Sequence, residues 1–551
     1  MELIQDINSF LWSDNVLYTV LAAGILFTIW SGFCQYRALT HGLPVTFGRY
    51  DNPSDPGAIS HFQALSTAMS STVGLGNIGG VAIAISLGGP GALFWMWIVG
   101  LIGMALKVTE VTLAMMYRNL DDPANPRGGP MWVSKRAFAE LGLPKLGIFI
   151  GAVYCIATII GSFTGGNMFQ SWNVADLTHT FFGWPRILVG AILSITVGLV
   201  IIGGIKRIGK VTAVIVPIMC AMYLIAGGYV LVLNIEFLPS IFTTIIDSAF
   251  NPTQASGAFV GGTMGSAMLW GMKRALYSSE AGLGSSAIAH SAAKTNEPVR
   301  EGIVAGLEPF IDTLIVCTIT GLIILSSGVW NRAADGQFTE TLDFTKVSTA
   351  KWQLPPTPIT QFATDQASTP VFIIVTTDND TQVRVHGDIT SNADGHIAHF
   401  NEVNSLDQPR QKNSGVFKAY NGASLTAHAF NQTHDWLGIY LVTFAAWFFA
   451  ISTIIAQGYY GEQAVFFLFK GKGVLSFKFT YCFATLVATF GFITTDRELD
   501  AVTTTGTGLV LISGLFITLI FGYKAMKEYH RYVTTLSEPA GNQNDTLDPP
   551  V

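Results

Sequence analysis

Charged side chains are scarce, at 12% of 551 residues, where a soluble domain carries roughly 25%. A water-exposed surface over most of the chain is thereby excluded. Cysteine is rarer still: Cys34, Cys155, Cys220, Cys317 and Cys482 all lie in or beside apolar segments, so no disulfide framework is implied. Residues 1–15 have neither a basic start nor a small-residue cleavage site, and no signal peptide is read there. A G-x-x-x-x-G-K-[ST] loop is missing, which removes the usual ATP-binding cradle. The net charge of −6 does not point to a partner, since its sign is local to each loop, and no nucleic-acid partner is expected.

What is there is apolar sequence, 50% of the chain. A window of about 19 residues predicts eleven membrane spans, near 16–33, 62–86, 92–117, 147–169, 186–204, 208–233, 259–283, 303–328, 436–457, 474–494 and 503–523. Residues 1–12 read as a short amphipathic helix lying at the membrane surface. Alternate short connections hold eighteen Lys and Arg, from Arg37 to Arg531, against only Arg186 and Arg497 opposite. The basic side is expected to be cytoplasmic, with the N-terminus outside and the C-terminus inside.

If the first span is set aside, ten remain, in two fives of opposite topology beginning at 62 and 259. Each half opens on a glycine-rich helix: Gly74, Gly76, Gly79 and Gly80 in one, Gly261, Gly262, Gly265 and Gly271 in the other. Such glycines can be packing surfaces for neighbouring helices. Two clusters in register instead match a secondary transporter whose broken helices meet at a midplane site. Hydrocarbon cannot satisfy loose backbone groups, so unwound chain at that depth needs a protein-lined cavity or a polar ligand.

Residues 330–435 are polar, with short β-branched runs, and predict a small antiparallel sheet inserted on the outside. The membrane part would thus be 1–329 and 436–530, followed by a disordered tail over 531–551. His396 and His399 in the insertion could form a metal pair, but without a convergent third ligand they read as surface residues. Within the spans, Lys107 and Glu110 are three apart and can pair, and Lys273, Arg274 and Glu280, placed toward the cytoplasmic half of the seventh span, are either a gate network or static pairs.

Gly74-Leu75-Gly76-Asn77-Ile78-Gly79 formally matches a dinucleotide fingerprint, yet lacks the preceding strand and the later acid that the fingerprint requires. The physical reading is a half-helix whose freed amides and positive dipole end hold a carboxylate. Carbonyls just before the break, near Ser70 and Val73, would face a cation. Ser452 and Thr453 add hydroxyls in the ninth span, with Gln457 one turn on from Thr453, although such hydroxyls commonly bond their own backbone.

The segment 66–82, Lys107-Val108-Thr109-Glu110-Val111, Gly128-Gly129-Pro130-Met131, Gly166-Asn167-Met168-Phe169-Gln170, Tyr277-Ser278-Ser279-Glu280-Ala281-Gly282-Leu283-Gly284 and Tyr459-Tyr460-Gly461-Glu462 together resemble the alanine/glycine:cation symporter family, the sodium:alanine symporters. The resemblance spans nearly the whole membrane part and does not reach the insertion. It implies an all-α polytopic protein of the leucine-transporter type, five plus five inverted helices after one extra span. It also implies a multi-pass protein of a bacterial cytoplasmic membrane, with no enzymatic activity, that works as a monomer and takes sodium with a small neutral amino acid. By position, Ser70, Val73, Ser452 and Thr453 would hold sodium. Gly74, Leu75, Gly76 and Asn77 would meet the substrate carboxylate, Asn77 also serving a second ion, while Gln170, Thr453 and Gln457 meet its other groups. Thr263 and Gly265 would mark the break of the seventh span and line the opposite wall. Family members usually carry tryptophan where Gln457 stands, so a larger or more polar substrate than alanine is expected, with glutamine, serine and asparagine as candidates. A transporter-derived receptor that senses an amino acid through the insertion is the alternative reading.

Overall fold

In the computed structural model, residues 2–537 are described except 339–341, 361, 363–367, 379–380, 393–394, 412–414, 421 and 493–495. Seven helical runs among them are long and apolar enough to cross a membrane: Asp6–Trp30, Gly91–Met116, Pro144–Phe182, Gly204–Leu233, Pro298–Ser326, Leu437–Phe469 and Asp500–Leu536. The pair His61–Thr72 and Gly76–Gly88, bent by 48°, makes an eighth if counted as one span. Three of the eleven expected spans fall short of that test. Arg186–Ile201 and Val474–Val487 are apolar but hold 16 and 14 residues, about 24 and 21 Å of helix at about 1.5 Å per residue against a core of about 30 Å. The expected span 259–283 is a helix only over Met264–Ser279.

The N-terminal helix Glu2–Leu11 forms as expected, but its end is tied down. Leu11 and Trp12 are buried, and the Trp12 indole donates to the Thr504 carbonyl at 3.0 Å. The tail is corrected too: the last helix runs Asp496–Ser537, so residues 531–537 are helical, and the rest of the expected disordered tail lies outside the described residues.

The insertion is a small β-barrel. Its strands are β1 (Gly336–Phe338), β2 (Thr345–Ser348), β3 (Lys351–Gln353), β4 (Thr357–Thr360), β5 (Ser368–Thr376), β6 (Gln382–Asn392), β7 (Gly395–Phe400), β8 (Val403–Asn404), β9 (Arg410–Gln411) and β10 (Gly415–Lys418). They pair antiparallel in the order β10-β1-β4-β7-β6-β5-β9, and β10 also pairs with β5, which closes the ring. A separate small sheet is ordered β2-β3-β8. Period-two alternation assigns the two faces of β5. Val371, Ile373 and Val375 enter the barrel core, whereas Phe372 and Ile374 pack with Phe417 on Ala258 of the loop before Met264–Ser279. His396 and His399, three apart on β7, fall on opposite faces of that strand, which rules them out as a metal pair. Asp378-Asn379-Asp380 and Asn392-Ala393-Asp394-Gly395, which separate the β-branched runs in the sequence, fall partly outside the described residues.

Arg384 of β6 fastens the barrel to the bundle by donating to the carbonyls of Ala258 at 2.7 Å and Ser86 at 3.2 Å. Hydrogen bonds from a charged donor contribute about 1.5–3 kcal/mol each. Arg384→Ala is therefore expected to loosen the barrel, read as faster limited proteolysis of the insertion than in the parent chain. An unchanged digestion rate would mean that the apolar contact at Phe372 suffices. The chain returns to the bundle through a helix, Ala423–Asn431, which lies against the broken pair: Thr426 donates to the Ile78 carbonyl at 3.0 Å.

Candidate functional site

The break in the first glycine-rich helix has a local cause at each end. Ser60 and Gln63 form a capping box that starts His61–Thr72. At Val73 the backbone turns extended, with ψ near 90°, and a wide helical turn over Gly76–Gly80 leads into Val81–Gly88. The amides freed there are held by side chains. Gly74 N–H donates to Asn77 Oδ1 at 2.8 Å and Leu75 N–H to Gln170 Oε1 at 3.1 Å. Leu75 and Gln170 are thus brought together, and in this conformation Asn77 and Gln170 occupy the donors assigned to a substrate carboxylate.

The break opens on a cavity of about 40 Å³ whose wall includes Ser71, Gly74, Gly76, Gln170, Tyr277 and Glu280, with Thr453 and Gln457 opposite. That holds about three waters, fewer heavy atoms than a free amino acid has, so binding requires some of these side chains to move. Ser70, Val73, Ser452 and Thr453 converge where His61–Thr72 ends against the helix Thr443–Phe469. Ser70 donates to the Ser452 carbonyl at 2.6 Å, and a Cβ on Gly74 would lie 2.6 Å from Thr453 Oγ1. Thr453 Oγ1 is buried with no hydrogen-bond partner among the described residues. Ser452 Oγ, in contrast, bonds back to the Phe449 carbonyl at 3.0 Å.

Thr263 and Gly265 do not reach the cavity. Thr263 is the N-cap of Met264–Ser279, in a capping box with Ser266, and both residues are exposed. The second helix breaks later, at Glu280, with φ of 53°, 87° and 69° at Glu280, Gly282 and Gly284, before Ser286–His290 resumes. Three left-handed residues within five cannot continue a right-handed helix. The opposite wall is consequently Tyr277, Glu280, Leu283 and Ser285.

Two carboxylates organise the surroundings. Glu280 Oε1 accepts from Ser71 Oγ and from Gln457 Nε2, both at 2.5 Å, and its Oε2 from Ser285 Oγ at 2.5 Å. Gln457 is locked in this way against the wall, with Gly166 behind it: a Cβ there would come 2.5 Å from Gln457 Cβ. The second carboxylate, Asp312, was not anticipated. It lies in the helical turn Phe310–Cys317 and accepts from Asn77 Nδ2, from Ser278 Oγ at 2.9 and 3.0 Å and from Thr313 Oγ1 at 2.7 Å. A lone aspartate within the apolar run 303–328 was the available clue, because ionisable groups at such depth are costly and mark function.

The other charged groups pair differently from expectation. Lys107 Nζ reaches Glu308 at 3.1 Å and Ser286 at 2.6 Å rather than Glu110. Lys273 and Arg274 both pair with Asp500 and not with Glu280. They lie between the break and the barrel-side loop, hence on the insertion side of the cavity and not on the far side.

A bundle of apolar helices crossing a membrane several times, with a helix broken against a buried polar cavity, is the architecture of a membrane transporter. The sodium:alanine symporter family model matches residues 1–355 and 410–546, and the chain belongs to that family. Residues 356–409, most of the barrel, lie outside the match. The chain is 43% identical over 331 residues to the sodium/alanine symporter AgcS of Methanococcus maripaludis, covering 60% of this chain and 71% of that one. It is 40% identical over 333 residues to an uncharacterized transporter of Haemophilus influenzae, 60% and 71% of the two chains. A probable sodium/glutamine symporter, GlnT of Bacillus subtilis, is 37% identical over 324 residues, 59% and 65% of the two chains. These are transporters, not enzymes.

Proposed function

We propose that the protein carries a small neutral amino acid across the membrane together with sodium, by alternating access on a five-plus-five inverted fold. The observation that carries this reading is the unpartnered Thr453 hydroxyl facing the broken helix, beside the Ser70–Ser452 contact. Sodium takes hard oxygens, and Ser70, Thr453 and the carbonyls of Val73 and Ser452 are a set of that kind at one point. In the loaded state the substrate carboxylate replaces Gln170 and Asn77 on the amides of Gly74 and Leu75, and the side chains released meet the rest of the molecule. One sodium moving with a zwitterion carries one charge, about 2.3 kcal/mol per 100 mV, which supports roughly fifty-fold accumulation at about 1.4 kcal/mol per tenfold. The excess of Lys and Arg on one side orients the N-terminus outward and the C-terminus toward the cytoplasm.

Gln457 selects the substrate. Its amide, released from Glu280 and Ser71, offers a donor and an acceptor to a polar side chain, which favours glutamine, serine or asparagine over alanine. The test is uptake of labelled amino acids into proteoliposomes under an inward sodium gradient or an equal choline gradient. Sodium-dependent accumulation is expected, and binding without flux would defeat the symport reading. Gln457→Trp is expected to raise the preference for alanine over glutamine by about tenfold, about 1.4 kcal/mol. An unchanged profile would remove Gln457 from specificity and leave symport standing.

A further inference from the structure

Leading away from the cavity, toward the end of the broken pair opposite the barrel, runs a file of buried titratable side chains that the symport reading does not use. Asp51, with 44% of its side chain exposed, lies 3.7 Å from His61 Nε2, a buried ring nitrogen with no hydrogen-bond partner among the described residues. His61 Nδ1 contacts Glu301 Oε2. Glu301 Oε1 is 2.5 Å from His290 Nδ1, and His290 Nε2 is 2.7 Å from Glu308 Oε1. Glu308 Oε2 meets Lys107, whose ammonium also donates to Ser286. Next in the chain, Ser285 donates to Glu280 on the cavity wall.

We propose that this file is a proton relay, along which a proton passes between Asp51 at the surface and Glu280 at the cavity during each transport cycle. The proposal rests on the symport reading and adds a second transported ion to it.

The chemistry follows from the alternation of groups. An imidazole is the one side chain that accepts on one ring edge and releases on the other near neutral pH, and His290 stands with each edge on a carboxylate. A proton taken up by His61 at Nε2 releases the one at Nδ1 to Glu301. Glu301 gives that proton to His290 Nδ1 and His290 Nε2 gives one to Glu308, so both rings and Glu301 return to their charge states with each ring proton on the other nitrogen. Lys107 then gives a proton toward Ser286 and takes the one on Glu308, and the rings regain their first tautomer before the next proton passes. A purely structural bridge between two glutamates needs no such ring; lysine or arginine would serve it. The cations facing the file are committed elsewhere or end it: Arg118 donates to the carbonyls of Ser291 at 3.1 Å and Ala293 at 2.7 Å, Arg300 to that of Tyr50 at 3.3 Å, and Lys107 closes the row beside Glu110.

Asp51, 3.7 Å from His61 Nε2, is beyond direct hydrogen-bond reach, so the surface step passes through a water or a small side-chain shift. The other gap lies between the Lys107–Ser286 pair and the Ser285–Glu280 pair. It falls on the unwound segment, directly after the left-handed Gly282 and Gly284. A wire continuous at all times would leak protons. A gap bridged only when the broken helix moves makes proton passage conditional on transport.

The experiment uses the full chain in proteoliposomes with an enclosed pH dye, the membrane voltage clamped at zero and a fixed sodium gradient, with alanine and glutamine as substrates. In the parent protein, substrate uptake is expected to move protons. His290→Gln keeps a donor and an acceptor between the two glutamates but cannot carry a proton. It should lower substrate-linked proton movement at least about tenfold, while substrate exchange across the membrane stays within about threefold of the parent. His61→Gln, at the surface end, provides a second test if the first variant does not fold. Uptake without proton movement in the parent would overturn the relay. So would unchanged proton movement in either variant, or a loss of exchange as deep as the loss of proton movement in both. An absence of any uptake in the parent would instead overturn the symport reading.

Discussion

Replacing Asp312 by alanine is expected to bring sodium-driven uptake to background, a loss of about a hundredfold or more. The carboxylate takes donors from three separate elements: Asn77 on the broken helix, Ser278 at the end of Met264–Ser279, and Thr313 beside it. Asp312, Ser278 and Asn77 are all fully or almost fully buried. Removing one partner of such a buried charged set costs about 3–5 kcal/mol, because each donor left behind keeps its desolvation penalty. Asn77 is the critical one, since its other end, Oδ1, accepts from Gly74 N–H. If Asn77 loses its anchor, the turn that carries the Gly74 and Leu75 amides, the donors proposed for a substrate carboxylate, loses its shape. Asp312→Asn keeps the volume but sets an amide donor against donors, and should recover only part of the activity. Uptake and a thermal melt in detergent, measured on the same preparations, separate the outcomes. A stable Asp312→Ala protein with parental uptake would show that the carboxylate only cements the fold.

The first break was legible because four glycines fall within seven residues of one apolar run. The sodium candidates followed from it, and the structure brings Ser70 to Ser452. The second break was misplaced for a physical reason. Gly261 is spent on a turn, with φ of 87°, and Gly271 lies against Ala92 of a neighbouring helix. Composition cannot distinguish these uses from unwinding. The true break carries its own marks, two glycines after a buried glutamate, but a left-handed φ at Glu280 is a choice of tertiary structure, made so that its carboxylate meets Ser71, Gln457 and Ser285. Pairings between distant elements were equally hidden. Lys107 with Glu110 satisfies a local spacing, while Lys107 with Glu308 joins residues 201 apart and depends on how two helices pack. In the insertion, alternating β-branched residues announced a sheet; closure into a barrel rests on the pairing of β10 with both β1 and β5, which no local pattern encodes.

Asp500→Ala should both destabilise the protein and open it toward the barrel side. One carboxylate, 12% exposed, pairs with Lys273 and with the fully buried Arg274. Two further guanidinium nitrogens of Arg274 have no hydrogen-bond partner among the described residues, so Asp500 is what keeps that charge tolerable. Its removal strands a buried cation, at about 3–5 kcal/mol, and the melting temperature is expected to fall by several degrees, about 2–4 °C per kcal/mol in a chain of some 200 residues and less in a larger one. The same bridge joins Met264–Ser279, six residues before its break, to the long helix Asp496–Ser537, and it lies between the cavity wall at Glu280 and the barrel-side loop. A Cβ at Gly80 would lie 3.6 Å from Arg274 Cδ, so Gly80→Cys reports on that bridge. With the bridge intact, a membrane-impermeant maleimide added from the barrel side should react slowly; with Asp500→Ala the rate should rise about tenfold or more, as a barrier of about 1.4 kcal/mol is lost. Four of the five native cysteines are buried, which keeps the background low. Asp500→Glu, which retains the charge, should restore slow labelling. If labelling and uptake in Asp500→Ala match the parent while stability alone falls, the bridge is a static clamp, and closure on that side belongs to the helix Ala423–Asn431, whose first amide already sits 2.9 Å from where a Cβ on Gly79 would be.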